Sequence, residues 1–311
     1  ELMSTTTNTE AGAQAHSDKS SFERKRTLRA WLFLTPALLV VAFIAIYPLA
    51  QTFYLSFTNK RFGSAEAPRF IGAQNYVDLF KDSYFRDAIL LTVLFTVVTV
   101  LSELVLGLAV ALVVNARFRG RSAVRAAMLV PWAIPTVISA QMWKWMYNDV
   151  YGIFNDLLVN RLHLAPINIA FTSDPDVSFY AVALIDIWKT TPFMALLLLA
   201  GLQLISSDLY EAARVDGASR MQQFFKITLP LLRPSLLVAL IFRTLDALRI
   251  FDVFYVMFGS RPDMQTMATY AQQTLVSIAD IGYGSALSVA IFLIISVFIM
   301  IYLAVFNTEE A

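Results

Sequence analysis

Six long stretches of the chain, 30–57, 88–114, 123–147, 178–204, 231–258 and 284–306, are dominated by Leu, Ile, Val, Phe and Ala. A bilayer core of about 30 Å is crossed by roughly 20 apolar residues in a helix, and only helices or closed barrels satisfy their own backbone there. The six stretches are therefore predicted to be transmembrane helices, with the excess length leaving room for tilt. Pro36 and Pro48 fall in the first and Pro131 and Pro135 in the third. Prolines inside spans are tolerated where neighbouring helices satisfy the freed carbonyls, so a packed bundle is expected rather than separate anchors. Composition points the same way: of 311 residues, 58% are hydrophobic and only 15% charged, against about 25% charged in a soluble domain.

The chain has no cysteine and two histidines, His16 and His163, far apart in polar stretches. Disulfides, thiolate–metal sites and thiol catalysis are thereby excluded, and a histidine-based metal site or triad has nothing to build on. A formal net charge of +1 leaves no basic field for nucleic acid. The first apolar run is too long for a signal-peptide core and lacks a small-residue cleavage site, so it reads as a span. Residues 1–29 read as a disordered cytoplasmic tail, with Met3 as the natural start. Lys and Arg cluster at 19–29, 117–125 and 214–233 and are sparser over the longer loops between. That bias places both termini, including the short tail at 307–311, on the cytoplasmic side.

One connector is organised. Residues 205–230 run between the fourth and fifth spans. Ser207 or Asp208 is placed to cap a short helix, with Glu211 behind it in capping-box fashion. Leu209, Ala212 and Ala213 follow at helical spacing, and Asp216-Gly217 ends the helix with a left-handed cap. A second helical stretch, 218–228, brings Met221, Phe224, Phe225 and Ile227, and Pro230 and Pro234 start the next span. Two short helices joined at a glycine make either a compact docking knob or an amphipathic element lying on lipid.

Ionisable residues inside spans are costly and face a bundle interior or a wet cavity. Arg243, Asp246, Arg249 and Asp252 follow one another at i+3 steps in span five, where each Arg–Asp neighbour can pair. Asp186 and Lys189, with Trp188 between them, lie in span four and Glu103 in span two. Two readings stand. The charges neutralise one another and lock the helices, a reading that suits Arg243, Asp246 and Glu103. Or they line a path for a hydroxyl-rich neutral solute, with carboxylates and guanidinium groups on vicinal hydroxyls and Trp188, Phe251, Phe254 and Tyr255 stacking on ring faces. Asp252 with Phe251 and Tyr255 is the preferred local cluster. Lys144, between Trp143 and Trp145, reads as an interfacial anchor that snorkels to headgroups.

The connector carries a resemblance. Glu211-Ala212-Ala213, then Asp216-Gly217-Ala218, then Ile227-x-Leu229-Pro230 resembles the E-A-A loop of binding-protein-dependent ABC importer permeases, and E-A-A-R-V-D-G-A resembles their sugar branch. Residues 70–85 and 282–294 are similar to segments of maltose-F-type permeases, and 188–202 and 241–252 to the trehalose-importing permeases of actinobacteria. After span five such permeases often carry L-T-x-G-G-P, where this chain has M-F-G-S-R-P at 257–262. The resemblance implies an all-α, six-span type I ABC importer permease, with a permease domain over 30–306, in a bacterial cytoplasmic (inner) membrane. It implies a second homologous permease, a dimer of ATPase subunits that dock on the knob and hold ATP and Mg, and an extracellular sugar-binding lipoprotein or periplasmic protein. The implied cargo is a disaccharide, trehalose before maltose, moved by alternating access. No G-x-x-x-x-G-K-[ST] occurs, so the phosphate-cradling loop must come from another chain and no cofactor is expected in this one. Three rivals differ in kind. A proton- or sodium-driven carrier would show inverted repeats, an intramembrane hydrolase would need a nucleophile–base or metal constellation, and an anchoring subunit would tolerate loss of Asp252 and Gly217.

Overall fold

The computed structural model describes Thr27, residues 29–116 and residues 118–307. The tails expected at 1–29 and 307–311 lie almost wholly outside the described residues. The chain divides into two compact units at Leu55/Ser56.

The first unit is one helix, α1 (Arg29–Leu55), with a π-helical turn at Ala42–Ile46. Its side chains are apolar all round and open, Phe33 being 82% and Leu32 72% exposed. Such a surface is stable in hydrocarbon and not in water. Thr35 and Thr52 return their hydroxyl protons to carbonyls one turn back, at Trp31 and Pro48.

The second unit is helical as well. Its elements are α2 (Gln74–Lys81), α3 (Ser83–Asn115), α4 (Arg121–Met128), α5 (Val130–Ala133), α6 (Thr136–Met146), α7 (Ile153–Asn155), α8 (Pro175–Gln203), α9 (Ser207–Val215), α10 (Arg220–Gln223), α11 (Leu229–Leu248), α12 (Asp252–Phe258), α13 (Met267–Gln272) and α14 (Ile281–Asn307). Among the described residues there is no strand, only isolated bridges at Thr58–Phe70 and Arg61–Asp280. Among the described residues of both units, α1 included, five helices are long and apolar enough to cross a membrane, or six if one bent pair is a single span.

Two of the expected spans are not continuous helices. The third breaks at Ile134-Pro135, where Arg121–Ala133 and Thr136–Met146 meet at 84°. The fifth stops at Leu248 and resumes at Asp252. The first break follows from sequence: Pro135 has no N–H to bond the Pro131 carbonyl, and its ring disfavours a helical Ile134. The second is held from outside the helix, because the Thr266 hydroxyl donates to the Ile250 carbonyl at 2.9 Å.

α3 and α8 form the most extensive helix pair, and α11 packs on both. Phe95 of α3 meets Phe254 of α12 edge-on at 5.1 Å, and both are fully buried. Asp82 ties the ends of three elements together. One carboxylate oxygen caps α3 through Tyr84 and Phe85 N–H, and the other accepts from the phenols of Tyr270 and Tyr283, each at 2.6 Å. Burial and that bond to Asp82 push the Tyr270 phenol well above its ordinary pKa.

The 205–230 connector departs from expectation in two details. Ser206, one residue earlier than predicted, caps α9 by accepting from Asp208 N–H. The second stretch does not end as a separate helix. It runs from a Ser219/Gln222 capping box through a π-helical turn at Phe224–Thr228 straight into α11, the wide turn absorbing the donor missing at Pro230. Gly217 sits at φ +77° as the first residue past the α9 cap. Ala218 N–H bonds the Ala213 carbonyl at 2.8 Å and Gly217 N–H the Arg214 carbonyl at 3.1 Å, the two bonds of a Schellman motif. At the root, α8 and α11 touch at Gly201, where a Cβ would lie 2.2 Å from Ser235 Oγ and 2.5 Å from Ser235 Cβ.

Candidate functional site

Three carboxylates of the spans, Glu103, Asp186 and Asp246, gather around the guanidinium of Arg243. α8 places Asp186, Lys189 and Thr190 at i, i+3 and i+4, hence on one face. α3 presents Glu103 to that face and α11 presents Arg243. Arg243 Nε donates to Glu103 Oε2 at 2.5 Å and Nη2 to Glu103 Oε1 at 2.8 Å. Nη2 also donates to Asp186 Oδ2 at 3.0 Å, and Nη1 to Asp246 Oδ2 at 2.6 Å. The Thr190 hydroxyl adds a bond to Glu103 Oε1 at 2.5 Å. The side chains of Arg243 and Glu103 are 1% and 0% exposed, while that of Asp246 is 67% exposed. The buried part of this network therefore joins α3, α8 and α11, and Asp246 carries it out to an open wall.

That wall belongs to a cavity of about 130 Å³ lined by Thr136, Asp186, Lys189, Thr190, Asp246, Arg249, Ile250, Phe251 and Asp252. Both broken spans end on it: Thr136 is the first residue of α6, and Arg249–Phe251 is the gap between α11 and α12. Irregular backbone at membrane depth is tolerated where it lines such a space. The cavity thus brings together Asp186, Lys189, Asp246, Arg249, Phe251 and Asp252 from the residues singled out in the sequence.

Others lie elsewhere. Trp188 turns from the cavity and packs edge-on against Trp143 at 5.4 Å. Tyr255 lies beyond the wall, stacked on Phe251 with ring centres 5.2 Å apart and planes 17° apart. Phe254 is core. The expected Arg249–Asp252 pair does not form among the described residues, because the helix is interrupted between them. Arg249 Nε bonds the Leu245 carbonyl at 3.2 Å instead. Lys144 is not a headgroup anchor: its Nζ donates to the Val256 carbonyl at 2.7 Å and joins α6 to α12. Lys189 Nζ lies 2.5 Å from the Ile134 carbonyl, with the Trp132 and Pro131 carbonyls at 3.4 and 3.5 Å. Thr136, Thr190 and Ile250 were missed. Position i+4 from Asp186 marks Thr190, and the Pro135 break marks Thr136.

The second feature is the knob at Glu211, Ala212, Ala213, Asp216, Gly217 and Ala218. Glu211 is exposed and lies 3.8 Å from Arg214. Apolar side chains stand open around it: Val215 is 87%, Met221 66% and Phe225 57% exposed. Tyr210 OH and Thr228 Oγ1, 2.9 Å apart, hold α9 against the π-helical turn.

Comparison with known proteins places this geometry. The sequence model of the family described as "Binding-protein-dependent transport system inner membrane component" matches residues 103–308. The trehalose/maltose transport system permease protein MalF of Thermococcus litoralis is 43% identical over 92% of this chain and 96% of its own length. The sulfoquinovosyl glycerol transport system permease protein SmoG of Agrobacterium fabrum is 42% identical, covering 91% and 92%. The trehalose transport system permease protein SugA of Mycobacterium tuberculosis is 36% identical, covering 89% and 88%. A crystal structure of a bacterial alginate ABC transporter, in complex with an alginate pentasaccharide-bound periplasmic protein, shares the fold: TM-score 0.78 at 22% identity, over 90% of this chain and 94% of that one. An interrupted helical bundle with an E-A-A knob at the foot of α8 and α11 is thus the architecture of a permease subunit, and the chain belongs to the family of binding-protein-dependent transport system inner membrane components, as a multi-pass permease of a sugar ABC importer.

Proposed function

We propose that this chain is the maltose-F-type half of a disaccharide importer, with trehalose as first substrate and maltose as second. The observation that carries this is the cavity at the two span breaks. Its wall alternates carboxylates (Asp186, Asp246, Asp252) with cations (Lys189, Arg249) and presents the face formed by Phe251. Paired charges serve vicinal hydroxyls and the aromatic ring serves a sugar face. At about 130 Å³ the space lies well below the roughly 300 Å³ at which small-molecule pockets begin. A second homologous permease supplies the remaining wall. The trehalose/maltose and trehalose permeases among the relatives support the choice of sugar.

A loaded extracellular binding protein delivers the sugar, as the periplasmic protein bound to the alginate transporter suggests. Two ATPase subunits, holding ATP and Mg, close on the knob around Glu211–Ala218. The Gly201–Ser235 contact makes α8 and α11 leave the knob as one body, so movement there reaches Asp186 and Arg243 directly. ATP must favour one of the two packings for this to do work. Both termini lie in the cytoplasm on this reading. A gradient-driven carrier is not favoured, since family membership and the knob both point to an ATPase partner.

A second reading, a sugar bearing an anionic group, is favoured by Arg249, which lines the cavity and pairs with no carboxylate among the described residues. The sulfoquinovosyl glycerol permease gives it a precedent. The experiment is uptake of radiolabelled trehalose in cells with and without the gene, with unlabelled maltose and sulfoquinovosyl glycerol as competitors. ATP-dependent uptake that disappears on deletion and is competed by maltose supports the first reading. Uptake unaffected by deletion removes trehalose, and competition by sulfoquinovosyl glycerol alone selects the second reading.

A further inference from the structure

Lys189 lines the cavity, yet its protons point at backbone. The Ile134, Trp132 and Pro131 carbonyls at 2.5, 3.4 and 3.5 Å form the end of the first half of span three, just before the 84° bend. Each has lost the N–H that a continuous helix would supply. The partner of the Pro131 carbonyl would be Pro135, which has none. The partners for Trp132 and Ile134 would be Thr136 and Ile138, which turn away with α6, whose first bond runs from Ser139 N–H to the Pro135 carbonyl. A cation at a helix C-terminus also answers the negative end of its dipole.

We propose that Lys189 is a positioning residue for transport: its ammonium latches the bend in span three, and a polyhydroxyl solute in the cavity loosens that latch by competing for the same protons. This rests on the reading of the cavity as the solute's passage. Lys189 Nζ reaches the three carbonyls from α8, while Asp186 and Thr190 on the same face of α8 stand at the wall. Occupancy is thereby linked to the angle between the two halves of span three, and because each proton given to the sugar is taken from a carbonyl of the bend, the lysine's contact with the sugar adds little to its affinity.

The chain has no cysteine, so Thr136→Cys gives a single reporter thiol on the cavity wall just past the bend. The complete importer, with its partner subunits and binding protein, is reconstituted in proteoliposomes, and the rate of thiol labelling by a membrane-impermeant maleimide is measured with and without saturating trehalose. Adding Lys189→Met is expected to raise the labelling rate about tenfold, the scale set by one charged hydrogen bond. It should also abolish the effect of trehalose on that rate and lower maximal uptake, with KM changed less than twofold. Lys189→Arg, which keeps the charged donors, should restore at least half of the uptake. Unchanged labelling with KM raised tenfold or more would overturn the latch and make Lys189 a sugar contact, leaving the passage intact. Unchanged labelling, KM and uptake would overturn it outright. If trehalose leaves labelling of the Thr136→Cys protein unaltered before Lys189 is touched, the passage reading fails for that sugar, and the Lys189→Met labelling rate still judges the bend. Should Lys189→Met not assemble, Lys189→Gln is read by the same labelling assay and the same thresholds.

Discussion

Arg243→Met removes the guanidinium that bonds two buried carboxylates. In the wild type its guanidinium makes three bonds to Glu103 and Asp186, at 2.5, 2.8 and 3.0 Å, and these side chains are 0% and 4% exposed. The fourth bond, to Asp246, contributes little, because a partner 67% exposed is already solvated. Stripping the partner from a buried pair costs about 3–5 kcal/mol, most of it the penalty of an uncompensated charge. At roughly 2–4 °C per kcal/mol, the unfolding midpoint of the purified importer should fall by on the order of 10 °C. The decisive comparison is Glu103→Gln/Asp186→Asn/Arg243→Met, which removes the charges together and should recover more than half of that loss. Both proteins are measured by heating detergent-solubilised complex and following monodisperse material by size-exclusion chromatography. A fall under about 2 °C for Arg243→Met, or a triple variant as unstable as the single one, would refute the argument that charge burial, rather than packing alone, ties α3, α8 and α11 together.

Other expectations follow from named contacts. Gly217→Pro should leave ATP hydrolysis by the assembled importer measurable while uptake falls at least tenfold, because proline cannot take φ +77° or donate to the Arg214 carbonyl; normal uptake would remove the knob's coupling role. Gly217→Ala, which meets no atom within 4 Å, should cost only about 1 kcal/mol of backbone strain, with uptake nearly intact. Gly201→Val must push Ser235 aside, and should reduce co-purification of the ATPase subunits as the two roots of the knob separate. Lys144→Met loses the bond to the Val256 carbonyl, and should lower stability by about 1.5–3 kcal/mol, read as a lower unfolding midpoint with no change in ATPase docking.

The span pattern was legible because hydrocarbon imposes one rule on every crossing helix, and Pro131 and Pro135 marked the third span as irregular without showing that it breaks at 84°. The break in the fifth was not legible, since nothing in Leu248–Asp252 forbids a helix; Thr266, remote in sequence, holds the Ile250 carbonyl. That hidden gap is why the i+3 row of Arg and Asp was half right: Arg243 and Asp246 share a helix and pair, Arg249 and Asp252 straddle the interruption and do not. The cap at Gly217 could be read locally because a Schellman turn is built within six residues. The roles of Lys144 and Lys189 could not, because each reaches a carbonyl on another segment, and an unpaired lysine near tryptophans looks like an anchor when only one dimension is visible.

The order of charges along the chain has a consequence for biogenesis. Spans reach the membrane from the N-terminal side, so Glu103 and Asp186 arrive before Arg243 has been made. Until then Asp186 has only Lys189 near it, one turn along its own helix, and Glu103 has no cation within its own apolar stretch, 88–114; a carboxylate left unanswered at mid-membrane costs about 2.5–3.5 kcal/mol. The buried network of the second, fourth and fifth segments can therefore close only once the fifth has been made. Arrival of the fifth segment, with its guanidinium, lets them settle together.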